Sequence, residues 1–227
     1  MVNITAWKEL REETAANGVT LIAVSKMKPV ADIERLYHLG ERNFGENYVQ
    51  ELLEKQPQLP DDINWHYIGH LQSNKVKYIA PFVHLIHAVD SYKLLEEINK
   101  QAAKHNRVID VLLQLHVAEE DTKHGLDNNE LLGLMDVYEA RKDSLQNIRI
   151  CGLMGMATFT DNEDQLRSEF AKIKNMHTIV KDTYFITKEY FTICSMGMSG
   201  DYKIAIEEGS SMVRIGSLLF GERIYPA

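Results

Sequence analysis

The chain has 227 residues and a formal net charge of −8, with 44% hydrophobic and 26% charged residues. That balance suits a globular chain of the size that one α/β barrel occupies. It argues against non-specific nucleic-acid binding, which needs clustered lysines and arginines to displace counterions. No apolar run approaches the roughly 18–20 residues of a membrane span, so a membrane protein is not expected.

In chain order, residues 1–16 mix Trp7 and Leu10 with Lys8, Glu9, Arg11, Glu12 and Glu13. This fits an amphipathic helix and lacks the apolar core of a signal peptide, so a cytoplasmic protein is expected. A first strand is predicted over 20–25 (TLIAVS), after Asn17-Gly18. Pro29 then opens a helix with Val30, Ile33, Leu36 and Tyr37 on one face, and Gly40 suits its C-terminal cap. Further strands are predicted over 42–45, 63–69, 83–88, 108–117, 148–156, 190–196 and 212–216. Between them lie helical patterns: Leu94, Leu95, Ile98 and Ala102 after Asp90-Ser91; Leu131, Leu134 and Met135 behind an Asp127/Glu130 capping box; Leu166, Phe170 and Ile173 after Asp161.

Eight strands alternating with helices point to parallel pairing through right-handed crossovers. Closure into a single (β/α)8 TIM-type barrel leaves no edge; an open doubly wound sheet is the alternative. In a barrel, chemistry sits at the C-terminal ends of the strands, with phosphate often held by the loops after the last two. Cys151 and Cys194 each lie in apolar strand-like runs, which favours buried thiols in a reducing compartment over a disulfide or a metal site. The nine histidines show no HExxH or paired CxxC spacing, so no metal is expected. His84 and His87, in an apolar stretch, read as satisfied core residues.

Lys26 follows the apolar run Leu21-Ile22-Ala23-Val24 after the single residue Ser25, at the C-terminal end of the first strand, where partial desolvation favours the neutral amine. A neutral amine is a nucleophile that forms an imine with a carbonyl compound, the anchoring chemistry of pyridoxal phosphate. A lysine after a strand is also commonly a solvated loop residue. The run Ser195-Met196-Gly197-Met198-Ser199-Gly200-Asp201 precedes a helix with Ile204, Ala205 and Ile206. With Arg214-Ile215-Gly216-Ser217 after the last strand, it suggests an anion cup of backbone N–H groups and the Ser199 hydroxyl. Two ordinary turns are the plain alternative. Phe44-Gly45-Glu46-Asn47, residues 65–75 and Gly152-Leu153-Met154-Gly155-Met156 map to the same rim. In these, Trp65 and Tyr67 read as packing residues, and Lys75 and Lys77 as a solvated helix face.

Together AVSKMKP (23–29), FGENYVQE (44–51), WHYIGHLQSNK (65–75), GLMGM (152–156), SMGMSGD (195–201) and RIGSLLFGER (214–223) closely resemble the pyridoxal phosphate homeostasis protein family, over nearly the whole chain. The resemblance implies one cofactor-binding domain spanning 1–227, a barrel like the alanine racemase N-terminal domain with an extra N-terminal helix. It implies pyridoxal 5′-phosphate held as a Schiff base on Lys26, with phosphate contacts from Ser199, Gly200, Gly216 and Ser217. It also implies Arg214 near the pyridine nitrogen, and Asn47 and Met154 lining the pocket. A cationic Arg214 disfavours ring protonation and leaves the cofactor a poor electron sink. The expectation is therefore a non-catalytic protein of cofactor homeostasis, a monomer that buffers the cofactor or delivers it to apo-enzymes. An amino-acid racemase or another low-activity pyridoxal phosphate enzyme is the alternative; racemases of this fold carry a second, β-rich domain and a partner-subunit tyrosine, whereas this chain stops at Ala227. A regulatory interaction protein that reports cofactor status is a third reading. One departure from the family pattern is His116, where related sequences commonly have asparagine. Met156 and Ser217 read as ordinary family-level variation.

Overall fold

The computed structural model describes residues 2–118 and 125–221. The first half runs α1 (Ile4–Ala16), β1 (Thr20–Val24), α2 (Val30–His38), β2 (Asn43–Glu46), α3 (Val49–Lys55), β3 (Asn64–Tyr67), α4 (Val76–Ile79), β4 (Leu85–Val89) and α5 (Tyr92–Lys104). The second runs β5 (Ile109–His116), α6 (Asn128–Arg141), β6 (Ile148–Met156), α7 (Glu163–Tyr184), β7 (Ile193–Ser195), α8 (Tyr202–Glu207), β8 (Met212–Ile215) and α9 (Ser217–Phe220). The strands pair in parallel in chain order, and β8 returns to β1 from Thr20 opposite Met212 to Ala23 opposite Ile215. That last pairing closes the barrel and rules out the open sheet. All eight predicted strands are present; the seventh is the most shortened, three residues where seven were expected.

Parallel strands are covered on both faces, so they read as continuous apolar runs, and Leu21 through Val24 are all buried. Inside the barrel the strand side chains of Ile22, Leu85, Leu112, Met154 and Met212 form one cluster. The larger core, including Leu36, Ile98, Met135, Phe170 and Leu219, lies between strands and helices. The helix boundaries follow local chemistry. Ser91 accepts from the Leu94 N–H to start α5, and Asp127 and Glu130 form the expected capping box of α6. Beyond α2, Gly40 takes φ +104°, and the N–H groups of Gly40 and Glu41 return to Tyr37 and Leu36.

Gly152 fixes the barrel's register. Between Val111 opposite Ile150 and Leu112 opposite Gly152 the β5–β6 ladder slips by one residue, a bulge. A Cβ on Gly152 would stand 1.8 Å from the Ile193 carbonyl oxygen, so only glycine lets β6 approach β7 here. Helix α1 is tied to the barrel by the Trp7 indole, which donates to the buried Glu41 carboxylate at 3.0 Å. Both cysteines are buried and free. Among the described residues no helix is long and apolar enough to cross a membrane, and no group of three or more His, Cys, Asp or Glu is placed to hold a metal ion.

Candidate functional site

A cavity of about 400 Å³ opens at the C-terminal ends of the strands, within the size range of small-molecule sites. Lys26, Asn47, Ser199, Gly200, Arg214, Gly216 and Ser217 line it together, although they come from four separate loops and strands. The barrel topology accounts for this, because every parallel strand delivers its C-terminal end to the same face.

Lys26 lies in the turn that follows β1, half-buried. The turn is held from below by three residues of the FGENYVQE segment and its helix. Ser25 Oγ donates to Glu46 Oε1 at 2.6 Å, and Lys55 Nζ donates to the Ser25 carbonyl at 2.7 Å. Met27 adopts φ +60°, a left-handed conformation unfavourable for a residue with a side chain, and its N–H donates to Glu51 Oε1 at 2.5 Å. Lys55 joins the two acids, 2.7 Å from Glu46 and 2.5 Å from Glu51. Burial raises the Glu46 carboxyl to about 6, against the opposing pull of Lys55.

The two glycine-rich segments meet. After β7, Gly197 turns at φ +94°, where a Cβ would press on that of Ala205 at 2.6 Å; the Asp201 carboxylate then accepts the Met198 N–H at 2.5 Å. This brings Ser199 against the start of α9, where the Gly216 N–H donates to Ser199 Oγ at 3.2 Å. The Ser199 hydroxyl therefore accepts from Gly216 and keeps its own proton for another acceptor. A Cβ on Gly200 would meet nothing within 4 Å, so that rim is open.

Arg214 is buried at the cavity wall. Its Nη1 donates to Ser195 Oγ at 2.6 Å and its Nη2 to the Gly155 carbonyl at 3.0 Å, both uncharged acceptors. Burial lowers its pKa to about 10, opposed by Asp201, so it remains a cation at neutral pH. A buried cation held by neutral oxygens favours a ligand that brings acceptor atoms. Asn47 adds a second demand, since its Oδ1 is buried without a hydrogen-bond partner. Its loop is set by Tyr67, whose hydroxyl donates to the Asn47 carbonyl at 3.0 Å, and by Gly69, where a Cβ would lie 2.2 Å from the same oxygen.

Met154 differs from the sequence expectation: it packs in the barrel interior with Ile22 and Leu112, and Met156, one strand layer further on, lines the cavity. His116 is half-buried, with its Nε2 2.8 Å from the Ala118 carbonyl, and is not a cavity residue. Glu222 and Arg223, which end the RIGSLLFGER motif, lie outside the described residues. Ile68, Met198 and Asp201 line the cavity from within the rim segments expected there, whereas Val24, Lys28 and the outer wall, residues 158–161, were not expected to line it. Thr158 anchors that wall by donating its N–H and hydroxyl to the buried Glu169 carboxylate at 2.6 and 2.8 Å. Phe159 stands on it 95% exposed. An aromatic residue set in the polar run Thr158-Phe159-Thr160-Asp161 just past the sixth strand was the signal available in the sequence.

Residues 5–224 match the family described as alanine racemase, N-terminal domain. The pyridoxal phosphate homeostasis protein of Aquifex aeolicus is 40% identical over 210 residues, 92% of this chain and 89% of that one. The chain belongs to the pyridoxal phosphate homeostasis protein family. The mouse member of this family is 38% identical over 215 residues, covering 90% of this chain and 77% of its own. The structure of PipY from Synechococcus elongatus with PLP bound superposes with a TM-score of 0.84 at 33% identity, over 96% of this chain and 99% of that one. An alanine racemase from Clostridium difficile, 16% identical, shares the fold with a TM-score of 0.71, over 100% of this chain and 58% of its own.

Proposed function

We propose that this chain is a cytoplasmic, monomeric binding protein for pyridoxal 5′-phosphate, one domain that buffers the cofactor and hands it to apo-enzymes without turning over a substrate. The observation that carries this reading is the meeting of Ser199 and Gly216 at the cavity that Lys26 and Arg214 also line. The residues present fit the group. The Ser199 hydroxyl proton and the exposed rim at Gly200 suit a phosphate, and the unpartnered Asn47 Oδ1 suits a donor such as the ring hydroxyl. Arg214 suits the ring nitrogen as an acceptor, and Met156, in place of Met154, supplies an apolar wall. When bound, the cofactor supplies an aldehyde that condenses reversibly with an amine, and Lys26 is the amine assigned to that attachment. Gly216 contributes through its position against Ser199, since its N–H is already engaged.

The non-catalytic part of the reading rests on Arg214. A guanidinium that stays charged at neutral pH opposes protonation of the ring nitrogen it faces and so weakens the electron withdrawal that carbanion chemistry needs. The names of the relatives agree with this role.

Titration with pyridoxal phosphate and with pyridoxal tests the site. Charge-assisted hydrogen bonds are worth roughly 1.5–3 kcal/mol each, so loss of two is expected to weaken binding by about 10²–10⁴. Ser199→Asp is expected to weaken pyridoxal phosphate more than pyridoxal, by like-charge repulsion. Equal affinities for the two vitamers would return the glycine-rich segments to ordinary turns.

A further inference from the structure

Arg214 ends a row of hydrogen bonds that runs through the barrel interior, away from the cavity. Beyond the bond from its Nη1, Ser195 Oγ lies 3.3 Å from His87 Nδ1, and His87 Nε2 lies 3.0 Å from His66 Nδ1. His66 Nε2 lies 3.3 Å from Asn43 Oδ1, which also accepts from Asn64 Nδ2 at 3.1 Å. Ser195, His87, His66 and Arg214 are all buried. The row crosses five strands, β8, β7, β4, β3 and β2, and joins residues as far apart in the chain as Asn43 and Arg214, yet no buried nitrogen or oxygen in it lacks a partner.

Both ends fix the sense of the row. A guanidinium only donates, so Ser195 Oγ accepts there and its single proton goes to His87 Nδ1. His87 then carries its proton on Nε2 and donates to His66 Nδ1, and His66 donates from Nε2 to Asn43 Oδ1. The opposite order would set His66 Nε2, as an acceptor, against the oxygen of Asn43 that already takes the Asn64 proton. It would also leave the Ser195 proton without His87 to receive it. An imidazolium at His87 fails for the same reason and would add a cation behind Arg214.

The charged and titratable groups around the pair all oppose a proton there. His84 packs on His66 at 5.4 Å between ring centroids, and Arg214 stands one residue beyond His87 in the row. Burial, followed by these neighbours, lowers His66 to about 3 and His87 well below the ordinary value. Such a fully satisfied buried row can hold one geometry rigidly.

We propose that His87, acting through Ser195, is a positioning residue: the neutral His66–His87 pair, protonated on Nε2 in both rings, locks the Arg214 guanidinium in the place where it meets the ring of the bound cofactor. The functional half rests on the reading of the cavity as a pyridoxal phosphate site; the proton order does not. Because Arg214 also donates to Gly155, loss of the row frees one end of the guanidinium and leaves the other tied.

Nitrogen-15 NMR of histidine-labelled protein without cofactor reads the proton order directly. The expected result is Nε2 protonated and Nδ1 bare at both His66 and His87, unchanged from pH 6 to 8; a proton on His87 Nδ1 overturns the proposal. On protein loaded with pyridoxal phosphate, His87→Leu is expected to shift the absorption band of the bound cofactor and its pH response, and to weaken affinity about tenfold. His87→Asn, whose Oδ1 can take the Ser195 proton, is expected to restore the parental spectrum. Ser195→Ala, which removes one oxygen, is expected to behave as His87→Leu and serves if the leucine variant does not fold. A folded His87→Leu or Ser195→Ala protein with the parental band and affinity overturns the positioning role. Failure of the unsubstituted protein to take up pyridoxal phosphate would overturn the cofactor reading instead, with the NMR result still deciding whether the row exists.

Discussion

At Lys26 the chain turns through a left-handed Met27, and the cost of that conformation is met by groups outside the turn: the Glu51 carboxylate on the Met27 N–H, the Lys55 ammonium on the Ser25 carbonyl and Glu46 on the Ser25 hydroxyl. Lys55 matters twice, as donor to the turn and as the cation between two acids. Lys55→Met leaves Glu46 buried without a counter-charge, and breaking a buried pair in this way costs roughly 3–5 kcal/mol. The loss is expected to be largest near pH 7.5 and smaller near pH 5.5. Without Lys55 the Glu46 carboxyl rises further above about 6, so the folded state takes up a proton before the unfolded state does and regains stability as pH falls. Urea denaturation at the two pH values measures this, and an equal loss at both would contradict it. Lys26, Ser199 and Arg214 were legible in the sequence because each follows or ends a recognisable strand. Lys55 was not, since a lysine four residues after a glutamate on a helix reads as a surface pair; only the three-dimensional approach of α3 to the β1 turn makes it a buried brace.

The strands were legible as elements because parallel strands covered on both sides appear as unbroken apolar runs. Depth along a strand was not. Met154 and Met156 point the same way, as residues two apart on a strand must, and only about 6–7 Å of rise separates the barrel interior from the cavity. Seven residues were expected for β7 and three are found, because the Thr192 N–H also bends back to the Tyr190 carbonyl just before the strand and Gly197 turns away at φ +94° just after it. Two glycines test the register argument in opposite directions. Gly152→Ala would drive a methyl into the Ile193 carbonyl and is expected to destabilise the fold by more than about 3 kcal/mol, or to prevent folding. Gly133, exposed within α6 with nothing within 4 Å of its missing Cβ, should gain about 0.5–1 kcal/mol on change to alanine. Thermal denaturation of the two variants is the check; a stable Gly152→Ala protein would mean that β6 and β7 do not approach as described.

At the scale of the molecule, three buried histidines among the described residues are held neutral, His66, His87 and His177, each lowered mainly by burial, His66 to about 3 and His177 to about 4. For such groups stability is complete above the unfolded-state pKa near 6.5. It is lost as pH falls toward the folded values, because the unfolded chain binds protons that the folded chain refuses. Glu46 acts in the opposite sense, favouring the folded state as pH drops through about 6, but it is one group against three. The net expectation is a loss of about 3 kcal/mol between pH 7.5 and 5.5, read from urea midpoints at constant cofactor occupancy. A flat profile would contradict the neutral interior. The closed barrel followed from counting strands, but this interior did not, because a histidine in an apolar run reveals its burial and not its partner two strands away.

If the mouth of the barrel holds pyridoxal phosphate through Lys26, the attachment can be trapped covalently. Incubation of the purified protein with the cofactor, borohydride reduction and mapping of the modified peptide test it most directly. The expected result is a visible absorption band lost on reduction and a single label on Lys26, with both absent in a Lys26→Ala protein that denatures near the parental temperature. A label on another lysine of the unsubstituted protein, or no stoichiometric uptake, would contradict it.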